Sequence, residues 1–182
     1  MTRARPAGLR PALRPARGLR PPREFDDFYR SEFPAVVGLA YALSGNRAGA
    51  EDLAQEAFLA AHSNWGRIGE YDKPEAWVRR VVANLSVSLF RRRIVEAKAL
   101  ARLALRREPS LSELEPEDAA FWAAVRSLPR RQAQVVALHY LEDLPVAQVG
   151  EILGLAEGTV KAHLHAARAR LATRLDVEED ER

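Results

Sequence analysis

Beyond residue 23, apolar side chains recur at steps of three and four, the period of an amphipathic helix, and no stretch alternates with period two. Phe25, Phe28, Tyr29, Val36, Leu39, Ala40 and Leu43 predict helix before and after Pro34. Ser44-Gly45-Asn46 reads as a turn, and a second helix runs from about Ala48 to His62. Ser63 to Lys73 is expected to form a loop. Asp72-Lys73-Pro74-Glu75 then opens a long helix that reaches at least Arg93, with the pattern extending to Arg107. Residues 108–118, EPSLSELEPED, are acidic, carry two prolines and read as a linker. Helices resume at Ala119–Leu128, Arg130–Leu141, Val146–Leu153 and Glu157–Leu175. The pattern predicts an all-α fold. Two small helical domains, residues 24–107 and 119–175, are joined by the acidic flexible linker, with residues 176–182 as an acidic C-terminal tail.

Charge divides the chain differently. The 182 residues carry a formal net charge of +3. Residues 1–23, MTRARPAGLRPALRPARGLRPPR, hold seven arginines and no acid. Subtracting that +7 from the total leaves −4 for everything after Arg23, so the basic surplus belongs to a tail. Its five prolines and two glycines leave no material for a packed core, and disorder is expected. A basic arm gripping phosphates, and a translation start placed too far upstream, stand as alternatives. With no continuous apolar run and no Arg-Arg pair, the tail does not read as a secretory or twin-arginine signal. The absence of cysteine excludes disulfides, thiolate metal sites and cysteine nucleophiles. The longest near-apolar run, Phe33 to Leu43, falls short of the roughly 18–20 residues a membrane helix needs. A soluble, cytoplasmic protein without membrane insertion is expected.

The most specific local pattern is LPVAQVGEILGLAEGTVKAHLHAARARL, Leu144 to Leu171. Pro145 opens a short helix with Val149, Ile152 and Leu153 inward; Gly154 ends it, Leu155 plugs the turn, and Glu157-Gly158-Thr159 starts the next helix. Two helices joined by a short Gly-containing turn form a helix-turn-helix. Gly150, costly in mid-helix, would be explained by close approach of the second helix. Val160, Leu164, Ala167 and Leu171 share one stripe, facing the module core. The opposite apex carries Gly158, Ala162, His165, Ala166 and Ala169, flanked by Lys161 and Arg168 on one side and His163 and Arg170 on the other. Small residues let a helix approach base edges while flanking cations reach phosphates. A polar-faced helix in an ordinary bundle is the alternative. His163 and His165 point about 200° apart and cannot chelate one metal.

In the N-terminal half, Leu53 and Ala57 define the buried side of one helix, while Asp52, Gln55, Glu56 and Leu59 line another. An acidic stripe holding an exposed leucine would repel DNA and suits a protein partner offering basic and apolar groups; a solvated charged face is the plainer reading. The helix from Pro74 has a core stripe of Val78, Val81, Val82, Leu85 and Leu89. Arg80, Asn84 and Arg91 line an adjacent face bordered by Trp77 and Ser88, with Arg92 and Arg93 extending a basic end. Cations, an amide and an aromatic ring suit unstacked bases, unless the face is merely solvated and Trp77 is core.

The segments AEDLAQEAFLAAHSNW, PEAWVRRVVANLSVSLFRRR and LPRRQAQVVALHYLEDLPVAQVGEILGLAEGTVKAHLHAARARL, in that order, resemble the signatures of extracytoplasmic-function sigma factors of the sigma-70 family. The resemblance covers about residues 24–175, and the Trp65 loop and Arg-rich run look most like the actinobacterial, SigE-like branch. It implies that Asp52, Gln55, Glu56 and Leu59 dock on the β′ clamp of core RNA polymerase. It also implies that Trp77, Arg80, Asn84, Arg91, Arg92 and Arg93 serve promoter DNA near −10, with the Trp65–Lys73 loop accepting a flipped base. The helix from Glu157, with Thr159, Lys161, Ala162, His163, His165 and Arg168, would enter the major groove near −35. An anti-sigma factor wedged between the domains is a further implied partner. Ala156 stands where the family usually has a small hydroxyl residue, and Ala162-His163 replaces a common Ser-Arg pair, so the usual upstream preference is not carried over. Ser88 replaces a frequent acid.

The sequence offers no Gly-rich phosphate loop, nucleophile elbow or metal-ligand spacing, so a non-catalytic specificity subunit without cofactor is expected. A stand-alone helix-turn-helix regulator is the rival. It accounts for residues 119–175 and leaves the Asp52 stripe and the Trp77–Asn84 face without purpose.

Overall fold

The computed structural model describes residues 24–87 and 116–180, with side chains described for 24–87 and 119–175. Helix α1, Phe25–Ser44, runs unbroken through Pro34, where helix on either side was expected. Pro34 lies exposed, and the buried stripe Phe28, Val36, Leu39 and Ala40 ties both halves to one core, offsetting the lost backbone donor. Helix α2, Arg47–His62, begins one residue before the expected start because Asn46 caps it: its Oδ1 accepts the Gly49 N–H at 2.7 Å. It packs Ala50, Leu53, Ala54, Ala57, Phe58 and Ala61 along α1.

The expected loop after α2 contains a single helical turn, α3, Trp65–Ile68. Ile68 is buried, and the Trp65 ring lies 5.2 Å from Phe25 and 4.8 Å from Phe28, so two apolar anchors three residues apart fix the turn. Helix α4 occupies residues 74–87 and buries Ala76, Trp77, Val78, Val81, Val82 and Ala83. The expected continuation through Arg93, and most of the linker, lie outside the described residues.

Helix α5, Pro116–Arg126, starts three residues inside the expected linker, with proline at its first position, where no backbone donor is missed. Helix α6, Arg130–Val136, passes into a π-helical turn, Ala137–Leu141, and Asp143 then takes a left-handed φ of +48° to redirect the chain. Helix α7 is Val146–Leu153, as expected. Helix α8, Glu157–Asp180, continues past Leu175 into the segment read as a tail.

One apolar core spans both halves of the chain. Val135, Leu138, Val149, Ile152, Leu153, Val160 and Leu164 join the cluster built by α1, α2 and α4, while Val125, Leu128, Val136, Ala167 and Leu171 contribute to a smaller one. Polar contacts accompany this junction. Gln134 Nε2 donates to the Ala83 carbonyl, and Lys73 Nζ lies 3.8 Å from Glu151. No helix among the described residues is long and apolar enough to cross a membrane.

Candidate polymerase and nucleic-acid interfaces

Three faces carry the residues singled out above. On α2, Leu53 and Ala57 are buried, which turns Asp52, Gln55, Glu56 and Leu59 outward by helical geometry. Leu59 is 67% exposed, a large apolar side chain on the same face as Asp52 and Glu56. The face is anionic and open.

On α4 the expected open face is divided. Asn84 is exposed, whereas Trp77 is only 4% exposed and Arg80 is half-buried. Trp77 therefore belongs to the shared core rather than bordering an accessible groove, and burying an indole removes a large apolar area from water. The burial is imperfect for polar atoms. Trp77 Nε1 and Arg80 Nη1 are buried without a hydrogen-bond partner among the described residues. Arg80 lies against the end of α7, so close that a Cβ on Gly154 would come within 2.9 Å of its Nη2. A cation there meets the negative end of the α7 dipole. Arg91, Arg92 and Arg93 lie outside the described residues.

The neighbouring Arg79 forms a buried ionic junction. Its Nη1 donates to Glu32 Oε2 on α1 at 2.8 Å and its Nε to Glu142 Oε2 after the π-turn at 2.5 Å. The side chains of Arg79 and Glu142 are 10% and 5% exposed. Burial pulls the Arg79 pKa down, but the charges and hydrogen bonds of Glu142 and Glu32 outweigh it and leave the guanidinium raised above the ordinary arginine value. Its contribution to stability is thus present below the unfolded pKa and is lost only as pH rises through the raised folded one. The sequence carried no local signal for this junction, because its members sit on three separate elements.

On α8, Val160, Leu164, Ala167 and Leu171 are buried, as the stripe required. Glu157, Thr159, Lys161, Ala162, His165 and Arg168 are exposed and His163 is half-buried. Gly154 adopts φ +66°, the left-handed cap expected of it. Gly150 is explained by a close approach, chiefly of the turn: a Cβ there would lie 2.7 Å from the Leu155 carbonyl oxygen and 3.8 Å from Val160 Cγ2. The Ala156 carbonyl accepts the Thr159 and Val160 N–H groups at 2.9 and 3.0 Å, so Ala156 occupies the N-cap position with no side-chain oxygen to offer.

The cations of α8 are not equivalent. Arg170 bonds Gln132 at 2.6 Å and Arg174 bonds Ser127 at 2.5 Å, tying both to their own module. Arg168 stays at the surface, its Nε donating to Tyr140 Oη at 2.7 Å with its guanidinium carbon 5.8 Å from the ring centroid. Tyr140, 48% exposed, escaped the sequence reading because its own helix pattern does not reveal a partner on α8.

Residues 28–94 match the family described as Sigma-70 region 2, and residues 118–171 match Sigma-70, region 4. The ECF RNA polymerase sigma factor SigM of Mycobacterium tuberculosis is 30% identical, over 81% of this chain and 75% of its own. The ECF RNA polymerase sigma factor SigW of Bacillus subtilis is 28% identical, over 82% and 86%. Among solved structures, the sigma factor RpoE in complex with the anti-sigma factor NepR from Bartonella quintana superposes with a TM-score of 0.69 at 24% identity, over 84% of this chain and 97% of that one. CnrH in complex with the cytosolic domain of CnrY gives 0.60 at 22%, over 84% and 88%. These structures share the all-helical fold. The chain belongs to the sigma-70 family, in its extracytoplasmic-function (ECF) group, and is an RNA polymerase sigma factor of transcription initiation.

Proposed function

We propose that this sigma factor docks on the β′ clamp of core RNA polymerase through Asp52, Gln55, Glu56 and Leu59. It opens the promoter near −10 with Arg80, Asn84 and Arg91–Arg93, with Trp77 in the core behind that face. It holds the element near −35 with Glu157, Thr159, Lys161, Ala162, His163, His165 and Arg168. Residues 24–107 act as the core-binding and melting domain, residues 119–175 as the upstream-reading domain, and the acidic segment between them as a linker. The observation that carries the reading is the pairing of two exposed surfaces of opposite chemistry on one chain: an acidic, leucine-bearing face on α2 and a cationic, small-residue face on α8. The first suits protein and the second suits DNA.

Melting needs no catalytic group, only tighter binding of unpaired than of paired bases, so the chain works as a non-catalytic subunit in the cytoplasm. An anti-sigma factor completes the set of partners; the RpoE complex with NepR supports that expectation through its shared fold. The Trp65 loop and the Arg-rich run favour the actinobacterial, SigE-like branch. Runoff transcription with purified core polymerase, followed by sequencing of the starts, tests the reading. Chain-dependent starts sharing two upstream elements are expected. A chain that ignores core polymerase yet binds duplex operator tightly would overturn it in favour of a stand-alone regulator.

A further inference from the structure

The arginine-rich segment ahead of α1 has no part in the function proposed above, and its sequence is patterned. Leu-Arg-Pro recurs at residues 9–11, 13–15 and 19–21, with Arg17 and Arg23 between and after the triplets. Each triplet sets a cation beside an apolar side chain, and each proline withdraws a backbone donor, so the segment offers side chains to a partner. Those are the two groups that the α2 face lacks. Leu59 is the most exposed large apolar side chain among the described residues. Asp27 has Arg30 at 3.9 Å and Glu51 has Arg47 at 3.0 Å. Among the described residues no ion pair or hydrogen bond reaches the carboxylates of Asp52 and Glu56.

The two also meet by position. Phe25, the first residue of α1, packs edge-on against His62, the last of α2, with ring centroids 4.8 Å apart. The segment therefore joins the fold beside the C-terminal end of the α2 face. From His62 that face runs back along the helix axis about 5 Å to Leu59 and about 15 Å to Asp52. At about 3.3 Å per extended residue, Leu19 to Arg23 alone cover that span, and the two earlier triplets remain in reserve.

We propose that residues 9–23 lie on the α2 face of their own chain, arginines against Asp52 and Glu56 and leucines against Leu59, and compete there with core polymerase. The proposal rests on the reading of α2 as the polymerase-docking surface. Tethering supplies the affinity, since a segment joined by a few residues acts at an effective concentration of about millimolar. Each exposed ion pair is weak and screened by salt, so the cover yields to a partner with a larger interface. Docking becomes more selective: a merely basic surface must displace cations already in place, and only a partner with further contacts gains by doing so.

The absence of native cysteine makes a direct test available. Ala16→Cys gives the full chain one attachment site for a nitroxide label. At low salt the amide signals of residues 52–59 should broaden, and they should sharpen at 1 M salt, where charges are screened beyond about 3 Å. The broadening should not depend on protein concentration, and it should fade when Asp52→Asn and Glu56→Gln are added with helix content by circular dichroism unchanged. Signals on α2 that stay sharp, or broadening that grows with protein concentration, would overturn the self-docking.

Competition is read in the full chain with Arg14, Arg17, Arg20 and Arg23 replaced by glutamine. This variant should bind core polymerase about fivefold more tightly than the native chain at low salt, and the difference should close as salt rises. Equal or weaker binding would overturn the competition. A loss of promoter-DNA affinity with core binding unchanged would overturn it in favour of an arm that grips phosphates. If Asp52→Arg leaves core binding unchanged while the native chain still shows the broadening, the docking reading of α2 fails and the competition falls with it, while the self-docked segment stands.

Discussion

Arg79 and Glu142 are 63 positions apart, yet the Arg79 Nε donates to Glu142 Oε2 in surroundings that exclude most water. Removing Arg79 strands the Glu142 carboxylate, and removing Glu142 leaves Arg79 with Glu32 alone. Arg79→Met alone, or Glu142→Gln alone, should therefore cost more than the pair is worth net, and the double substitution should cost less than the two singles together. A double-mutant cycle by thermal unfolding is expected to give a coupling of about 1–3 kcal/mol. Additive losses would mean that the two groups act independently.

What the sequence disclosed follows from which forces leave a local trace. The bounds of α7 were legible because Pro145 and Gly154 punctuate it, and the buried stripe of α8 because Val160, Leu164, Ala167 and Leu171 keep the helical period. Pro34 misled in the other direction: a proline lowers the local helix signal, but the tertiary burial of Val36 and Leu39 overrides it. The burial of Trp77 was undecidable from α4 alone, since helical spacing gives a residue's face and not what packs over it. For the same reason Arg79, Glu142 and Glu32 left no pattern. Of the candidate sites, the α2 and α8 faces were therefore the legible ones, and the condition of the α4 face was not.

Gly150 should resist even the smallest substitution. Alanine is the better helix former by about 1 kcal/mol, but its Cβ would lie 2.7 Å from the backbone oxygen of Leu155, which cannot swing aside like a side-chain tip. Overpacking wins, and Gly150→Ala should lower stability by about 1–2 kcal/mol. Denaturant unfolding checks the sign, and a gain would show that the turn can shift.

Ala156 offers the converse case. Asn46 caps α2 through its side chain, whereas α8 begins with a bare methyl group. Ala156→Ser supplies an acceptor to the first turn and should stabilise the chain by about 0.5–1 kcal/mol, a rise in Tm of roughly 1–4 °C. A lower Tm would mean that the hydroxyl cannot take up the capping geometry.

Asp52 is exposed and lies opposite the buried Leu53–Ala57 side of α2, so its replacement tests docking with little effect on folding. Asp52→Arg sets a cation against a basic partner and should weaken core polymerase binding roughly tenfold or more, most of all at low salt. Unchanged affinity in a pull-down titration would move the docking surface elsewhere.

Arg168 and Tyr140 provide the sharpest test of the α8 face. The Tyr140 hydroxyl accepts the Arg168 Nε at 2.7 Å, restraining a flexible guanidinium at the surface where a phosphate would be met. Arg168→Ala should weaken duplex −35 binding about evenly across sequences and reduce the slope of log affinity against log salt by about 1. Tyr140→Phe keeps the ring and the cation but removes the restraint, so a loss of about threefold is expected, the scale of one solvent-exposed hydrogen bond. Because Tyr140 would act only through Arg168, the double variant should bind no worse than Arg168→Ala alone. If Tyr140→Phe weakens binding further in the Arg168→Ala background, the tyrosine meets DNA in its own right.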